Sequence, residues 1–221
     1  MLSQKLFKAK TIHRQMLADT VTPVSIYLRL RDKYANSLLL ESTDYHSKEN
    51  SFSYICCQPI ARFEVTGGQV RQELPDGSNQ TNAANRETLV GLLDGFVNSF
   101  EHVESRFDFI DNGIFGYCNY DAVRYFEDLE IGTFEDDKRS IPDILYQVYQ
   151  IVIAINHFKN ELYIFEHQYD KNSPSQLEEV ESIIKNQNIP YFGFNTHADE
   201  GVNLTDEEFL NIVQKGKDHC Q

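Results

Sequence analysis

The stretch from residue 37 to residue 55 reads SLLLESTDYHSKENSFSYI, and the predicted fold is built around it. Three consecutive leucines, at positions 38 to 40, are followed directly by Glu41 and Ser42. A short apolar run of this kind is typical of a buried strand. In residues 51 to 55 small and aromatic side chains alternate, which predicts a second strand with two different faces. One face carries Ser51, Ser53 and Ile55, and the other carries Phe52 and Tyr54.

The end of the first predicted strand brings a carboxylate and a hydroxyl next to three leucines. A charge beside an apolar core is costly unless a partner compensates it. If the two strands lie side by side, Glu41, Ser42, Ser53 and one aromatic ring line a small pocket. Such a pocket suits a zwitterionic amino acid, with Glu41 binding the ammonium group. The alternative is a strand end whose glutamate points into water, and spacing alone does not choose between the two.

Composition restricts the possible partners and compartment. The chain has 221 residues, enough for one large domain, with a net charge of −14 and a pI of about 4.8. This acidity argues against nucleic acids and anionic membranes, since both bind a basic surface. The N-terminus lacks the apolar core of a signal peptide, and no run approaches membrane-spanning length. We therefore expect a cytoplasmic protein without a membrane partner.

The four cysteines show no metal-binding or disulfide pattern. Cys56 and Cys57 are adjacent in a predicted strand, so their side chains point to opposite faces and do not bind one metal ion together. Neither a Cys-x-x-Cys nor a His-x-x-x-His pattern is present. We interpret the cysteines as small apolar residues or free thiols of a reducing compartment.

Helix signals occur at four places along the chain. Thr22 and Pro23 have the N-cap and first-turn positions of a helix that continues to about Asp32. Apolar residues from Leu89 to Phe100 recur with helical spacing. Capping boxes at residues 173–176 and 205–208 predict two more helices, the last with an apolar stripe of Phe209, Ile212 and Val213.

Strand signals occupy much of the rest of the chain. Residues 61–65 and 69–73 flank Gly67-Gly68 and predict a hairpin, while Gln58-Pro59 is expected to end the strand before it. Residues 144–155 and 161–166 predict two strands, and residues 113–118 predict a strand that runs into a helix near Asn119. Residues 5–18 show no clear period, and residues 74–85 and 127–139 are predicted loops. The predicted fold class is α+β, with mainly antiparallel sheets and flanking helices.

No specific catalytic motif is present in the sequence. It contains no phosphate-binding loop, no Gly-x-Ser-x-Gly elbow and no His-Glu-x-x-His. The seven histidines are scattered. We therefore predict no catalytic residues and no metal ligands in this chain.

Four motifs, in this order and spacing, resemble a known family. They are LLLES at 38–42, SFSYI at 51–55, the pattern GxxGYxxYDxVRxFE at 113–127, and IPD at 141–143. Together they resemble the N-terminal half of anthranilate synthase component I, and aminodeoxychorismate synthase component I is a close relative. The resemblance runs through essentially the whole chain. The chain has NSFSY at 50–54 where the common family pattern has GRYSF.

The resemblance implies a regulatory role for residues 1–221. In the family the two strands at the start of the chain form the binding site for L-tryptophan, the feedback inhibitor. The corresponding residues here are Leu40, Glu41, Ser42, Phe52 and Ser53. The family's chorismate site, its catalytic residues and its Mg²⁺-binding glutamates lie in a C-terminal half that we expect to be absent. The full lyase converts chorismate to anthranilate and pyruvate with a glutamine amidotransferase subunit, component II.

Two alternatives remain at this point. One is the same region of an aminodeoxychorismate synthase, whose product leads to folate. The other is a free-standing amino-acid-binding module.

The apolar stripe near the C-terminus also predicts that the fragment associates, at least as a homodimer, because no later element covers it.

Overall fold

The computed structural model describes residues 6–41, 51–102, 104–129, 141–170, 173–186, 193, 195 and 201–220. In these residues the chain forms eight strands, four α-helices and one 3₁₀ helix, Tyr120–Tyr125. The strands are β1 (Lys10–Leu17), β2 (Leu38–Glu41), β3 (Phe52–Thr66), β4 (Gln69–Glu73), β5 (Asn79–Ala83), β6 (Ile114–Cys118), β7 (Ile144–Asn156) and β8 (Glu161–Gln168). The α-helices are α1 (Pro23–Arg31), α2 (Leu89–Val97), α3 (Leu177–Lys185) and α4 (Asp206–His219).

The long strands β3 and β7 pair antiparallel from end to end and form the centre of the sheet. The first half of β3 pairs on its other edge with β2, and the second half pairs with β4, which in turn pairs with β5. The second half of β7 pairs with β8 and the first half with β6, while β1 lies outside β8. Every pairing of these strands is antiparallel, which confirms the predicted α+β class.

Three apolar clusters hold the layers together. On one face of the β2–β3–β7–β8–β1 half, helices α1 and α3 pack on a cluster that includes Cys57, Ile153 and Ile155. The opposite face of that half carries an aromatic cluster with Phe107, Phe115 and Phe165, which also includes Cys56. The other half of the sheet packs on α2 and the 3₁₀ helix. The adjacent cysteines therefore lie on opposite faces as free thiols, as predicted.

Most of the predicted elements are present, with caps that explain their limits. Thr22 and Ser25 form a capping box at α1, and Thr205 and Glu208 form one at α4. The hairpin at Gly67-Gly68 and the strands β7 and β8 lie where the sequence predicted them. The strand β6 runs into a helix capped by Asn119, although this helix is 3₁₀ and not α. Residues 130–140 of the predicted acidic loop lie outside the described residues.

Two predictions about local structure were wrong, and one segment without a clear sequence period forms a strand. Gln58-Pro59 does not end the central strand, because Gln58 adopts a φ of 60° and a bulge between Pro59 and Ala61 lets β3 continue. Residues 10–17 form the edge strand β1, and residues 79–83 form the edge strand β5 inside the predicted loop. Both edge strands are largely exposed, so their sequences carry little of the apolar alternation that marks a strand.

The predicted capping box at residues 173–176 was also wrong, because a buried carboxylate from the sheet caps α3 instead. Glu166 on β8 accepts a hydrogen bond from the Gln176 backbone N–H at 3.0 Å and one from the Ser175 hydroxyl at 2.5 Å. Gln150 on β7 donates a third at 3.2 Å. Three donors compensate the burial of this charge, and its position at the helix N-terminus is favourable.

A second compact unit, Pro190–Gln221, contains α4 and is distinct from the unit Met1–Ile189. None of the α4 side chains is buried, and its apolar residues Phe209, Leu210, Ile212 and Val213 are exposed. The prediction that this stripe drives self-association stays a prediction. Among the described residues no helix is long and apolar enough to cross a membrane.

The backbone around Gly116 leaves no space for a side chain. Gly116 lies on β6 opposite Tyr146, and a Cβ at this position would be 1.8 Å from the carbonyl oxygen of Leu145. A change of rotamer does not relieve this contact, because the Cβ position is set by the backbone of residue 116 and the Leu145 oxygen is a backbone atom. The glycine is therefore required for β6 to pair with β7.

We predict that Gly116→Ala lowers the free energy of unfolding by about 3 kcal/mol, the upper end of overpacking effects. Gly91→Ala is the matched control, because Gly91 is exposed on α2 and a Cβ at that position would have no neighbouring atom within 4 Å. This control should stabilise the protein by up to about 1 kcal/mol through helix propensity. Urea unfolding of both variants checks the prediction, and equal stabilities would contradict it.

A buried histidine joins the outer strands to the segment before β6. His167 on β8 donates from Nε2 to the Asp111 carbonyl oxygen at 2.9 Å, so Nδ1 accepts from the Thr11 hydroxyl on β1 at 2.9 Å. Burial lowers the pKa of His167 below its usual 6.5, against the opposing effects of the Asp111 carbonyl and the Asp111 and Glu166 carboxylates. The folded state therefore holds the neutral imidazole.

We predict that His167 makes the protein less stable in mild acid. Because the unfolded chain binds the proton more readily, the contribution of His167 is complete above about pH 6.5 and is lost as the pH falls through the lower folded-state pKa. His167→Gln should lower stability at neutral pH by about 1–3 kcal/mol and flatten the pH dependence between about pH 7 and pH 5. Unfolding curves measured across this range test it, with the exposed His102→Gln as control; an unchanged slope would refute the assignment.

Candidate functional site

Strands β2 and β3 lie side by side, and their register places Glu41 opposite Ser53. Leu39 lies opposite Ile55 in the same ladder. Residues directly opposite each other in an antiparallel pair point to the same face. Glu41, Ser53, Leu39 and Ile55 therefore share the face of the sheet on which α1 and α3 pack, as the cluster around Ile55 and Leu39 shows.

Glu41 is exposed at the end of this ladder. No described residue forms an ion pair or a hydrogen bond with its carboxylate. The desolvation penalty that the sequence suggested does not arise, because Leu40 and Glu41 are both exposed at the end of β2. The end of β2 thus presents a negative charge that no group in the described part of the chain pairs with.

Ser53 differs from Glu41 because it is fully buried and its hydroxyl already has a partner. Its Oγ lies 2.7 Å from Nε2 of His157, a residue in the turn between β7 and β8. Ser53 also lies opposite Ile155 on β7, so the serine is flanked by β2 on one side and β7 on the other. Among the described residues, the Ser53 hydroxyl is therefore bonded to His157 and shielded from solvent.

The turn that carries His157 is tightly organised. The Asn156 side chain accepts hydrogen bonds from the backbone N–H groups of Phe158 and Lys159, each at 2.9 Å. The backbone N–H of His157 donates to the Ser51 carbonyl oxygen at 3.0 Å, which extends the β3–β7 ladder by one step. The left-handed conformation of Asn160, with φ of 51°, closes the turn. These contacts fix the imidazole at the same end of the sheet as Glu41.

The five residues predicted from the sequence do not all lie together. Leu40 lies opposite Tyr54, and both Leu40 and Phe52 point to the face opposite Glu41 and Ser53. The Phe52 ring stacks on Phe109 at 4.9 Å in the aromatic cluster. A ligand bound to Glu41 reaches Phe52 only around the end of the sheet. Ser42 lies outside the described residues, and the binding role of all five residues stays a prediction.

Sequence reasoning did not single out His157, because it interpreted each histidine as a surface residue or a satisfied core residue. The position of His157 in the strand pattern was the signal that could have identified it. His157 follows a strand whose alternate residues Ile153 and Ile155 point to the helical face, so its side chain has the same parity as Ser53 across the ladder. Only the pairing of β3 with β7, which the sequence does not reveal, brings these residues together.

The later motifs have a structural role in the fold. Asn119 accepts from the Ala122 backbone N–H at 2.8 Å and donates from its side chain to Asp143 at 3.3 Å. The Tyr125 hydroxyl donates to the other Asp143 oxygen at 2.8 Å, and burial together with this bond raises the pKa of Tyr125 to about 12. Asp143 thus anchors the 3₁₀ helix on the sheet. Arg124 and Asp121 approach to 3.8 Å and form a weak local ion pair.

The described residues contain no group of three histidine, cysteine or acidic side chains that could hold a metal ion. The Mg²⁺ that the family resemblance implies therefore has no fitting ligand set in this part of the chain.

Comparison with known proteins identifies the family. The family described as chorismate binding enzyme matches residues 37–221. The chain belongs to this family. Its curated relatives include anthranilate synthase component 1 of Lactococcus lactis, 26% identical over 204 residues, and that of Pseudomonas aeruginosa, 28% identical over 228 residues.

A solved structure supports the fold. The crystal structure of anthranilate synthase component I from Streptococcus pneumoniae TIGR4 matches with a TM-score of 0.52 and 22% identity, covering 92% of this chain. The chain spans only part of these proteins. It covers 41% of the Lactococcus protein, 44% of the Pseudomonas protein and 44% of the Streptococcus chain.

Proposed function

We propose that this chain forms the N-terminal regulatory part of an anthranilate synthase component I and binds L-tryptophan at the end of strands β2 and β3. The observation that carries the proposal is the pairing of Glu41 with Ser53, which places an exposed carboxylate, without an ion-pair partner among the described residues, at the end of the ladder. The similarity to anthranilate synthase component 1 from several organisms supports the assignment to this branch.

The proposed site binds the polar part of an amino acid. The ammonium group of L-tryptophan donates to the Glu41 carboxylate, a charge-assisted hydrogen bond worth about 1.5–3 kcal/mol. Ser42 supplies a further hydrogen bond, and Ser53 acts through its hydrogen bond to His157. Leu40 and Phe52 provide apolar contacts where the indole extends around the end of the sheet.

In the proposed complete enzyme, chorismate is converted to anthranilate and pyruvate, and tryptophan binding inhibits this reaction. The amino group comes from ammonia or from glutamine through the component II subunit. The residues that bind chorismate and Mg²⁺ are expected in the larger part of the relatives' length, beyond the share that this chain covers. This chain then senses the product of the pathway and does not carry out the chemistry.

We predict that Glu41→Ala weakens tryptophan binding by roughly ten- to a hundredfold, the equivalent of one charge-assisted hydrogen bond. The chain contains no tryptophan, so fluorescence excited beyond the tyrosine absorption comes from the ligand alone. Titration of the ligand with protein therefore gives the affinity directly. Glu87→Ala, which removes an exposed carboxylate from a loop at the other half of the sheet, should leave the affinity unchanged. Equal affinities of wild type and Glu41→Ala would place the binding site elsewhere.

We also predict that the chain alone has no anthranilate synthase activity. The described residues contain no metal-ligand cluster, and the sequence contains no recognised catalytic motif. The measurement is anthranilate fluorescence after incubation with chorismate, Mg²⁺ and ammonia, with a full-length relative as positive control. Steady turnover above the buffer rate would show that the catalytic groups lie within these residues.

A further inference from the structure

We propose that a second copy of this chain packs on one face of β3 and β4, so that the two sheets lie face to face around a twofold axis. This surface, the charged face, is defined by Arg62 and Glu64 on β3 and by Arg71 and Glu73 on β4. It lies on the half of the sheet that does not carry β2 and is independent of the proposed tryptophan site. It also shares no residue with the apolar stripe of α4.

The strand register determines which side chains form the charged face. In the β3–β4 ladder Arg62 lies opposite Glu73 and Glu64 lies opposite Arg71, and opposite residues of an antiparallel pair share one face. The residues between them point to the other face, where they pack in the cluster with α2. Positive and negative charges therefore alternate both along the two strands and across them.

The same register extends the charged face over five strands. Leu145 on β7 lies opposite Glu64, Tyr117 on β6 lies opposite Leu145, and Thr81 on β5 lies opposite Arg71. Tyr117 is 37% exposed, and the β4 side chains on this face are exposed. Because β4 is an inner strand, their exposure means that the described part of the chain places no layer on this face. Arginine and tyrosine are residue types that interfaces favour.

The chain uses only part of the charge on this face. Arg62 pairs with Glu64 on the same strand, and the Thr66 hydroxyl donates to the other Glu64 oxygen at 3.1 Å. Arg71 and Glu73 form no ion pair or side-chain hydrogen bond with any described residue, although each lies opposite a charge of the other sign. A guanidinium and a carboxylate on β4 are therefore available to a partner.

The charge pattern is complementary to itself. A twofold axis in the plane of the face, running across the strands between the two rows of charges, places Arg71 over Glu73 of the second copy and Arg62 over its Glu64. Each of the five strands then lies over its own counterpart. A twofold axis along the strands between β3 and β4 also opposes unlike charges, but it leaves β6 and Tyr117 uncovered. The axis across the strands therefore buries more of the face.

The spacing and the net charge fit this occupant. Stacked sheets pack about 10 Å apart with nearly aligned strands, a gap that arginine and glutamate side chains from both sides fill. The chain has a net charge of −14, so two copies repel each other over most of their surface. The charged face is locally neutral, and a partner with a single sign of charge would meet two like charges on it. A second copy instead opposes every charge with its opposite, which fixes the register of the complex.

Two charge reversals on the exposed strand β4 test the proposal. Sedimentation velocity should show a concentration-dependent dimer of the wild-type chain. Arg71→Glu and Glu73→Lys each place like charges opposite one another across the axis, so each variant alone should have a dimer dissociation constant at least about tenfold higher. An equimolar mixture of the two variants should recover dimerisation, because every opposed pair in the mixed dimer again has unlike charges.

The matched controls are Arg86→Glu and Glu87→Lys, which make the same changes of net charge at exposed loop positions before α2. These variants should dimerise like wild type, both separately and mixed. Circular dichroism checks that all four variants are folded, and recovery in the mixture is a result that a folding defect does not produce.

Each other outcome overturns the proposal. A monomeric wild-type chain at all concentrations means that the charged face has a different occupant. Dimerisation that both β4 variants leave unchanged places the association elsewhere, for example on the apolar stripe of α4. Variants that dissociate but do not recover when mixed exclude the twofold arrangement. None of these results bears on tryptophan binding at Glu41, which is measured separately.

Discussion

The end-to-end antiparallel pairing of β3 with β7 is the constraint on which the rest of the first unit depends. The two strands are buried along most of their length, and each is too long to have the same neighbour throughout. The sheet is therefore five strands wide in each half, with β2, β8 and β1 on one half and β4, β5 and β6 on the other. A bulge at Pro59 and Ala61 marks the region where one half passes into the other. Each half has its own helical cover, and the aromatic cluster reaches from Phe165 on β8 in one half to Phe115 on β6 in the other.

Buried polar groups fasten the outer elements to this centre. Glu166 ties α3 to the sheet through two donors at the helix N-terminus, Ser175 and Gln176. His167, the next residue, ties β1 and the segment at Asp111 to β8 from the opposite face. Asp143, directly before β7, ties the 3₁₀ helix to the sheet by accepting hydrogen bonds from Tyr125 and Asn119. In each case one side chain makes several hydrogen bonds, and removing it leaves buried partners unpaired. The order of these elements on the sheet is thus specified by polar geometry as well as by apolar burial.

The sequence predicted the central part of the fold well, for a physical reason. Leu38 to Leu40, Phe52 to Ile55 and the residues of β7 and β8 carry enough apolar side chains for their pattern to be recognised, and Thr22-Pro23 and Thr205 carry local caps that act within four residues. The failures concern long-range interactions. The strands β1 and β5 exist because a neighbouring edge was available, and Glu166 replaced the expected cap of α3 from another strand.

The candidate site was predictable only in part for the same reason. Glu41 and Ser53 follow from one hairpin-like pairing, which the motif suggested, whereas His157 follows from the pairing of β3 with a strand about a hundred residues later in the chain. Alternation along β3 also predicted that Phe52 and Ser53 lie on opposite faces. That these two residues do not line one pocket with Glu41 became clear only from the register of β2 and β3. Residues of one motif are close in sequence and still separate onto two faces of a sheet.

The position of the site at an edge strand has an energetic consequence. β2 is four residues long, and its contribution to the core comes from Leu38 and Leu39, with Leu40 and Glu41 exposed. In the proposed site, an amino acid bound by Glu41 attaches to this short edge strand, beside Ser53 on the central strand β3. Ligand binding of this kind stabilises the conformation that it requires in proportion to the logarithm of its concentration over its dissociation constant. The exposed Glu41 carboxylate contributes little to the stability of the folded state. In the proposed site, its substitution therefore changes ligand affinity while the β3–β7 ladder stays intact.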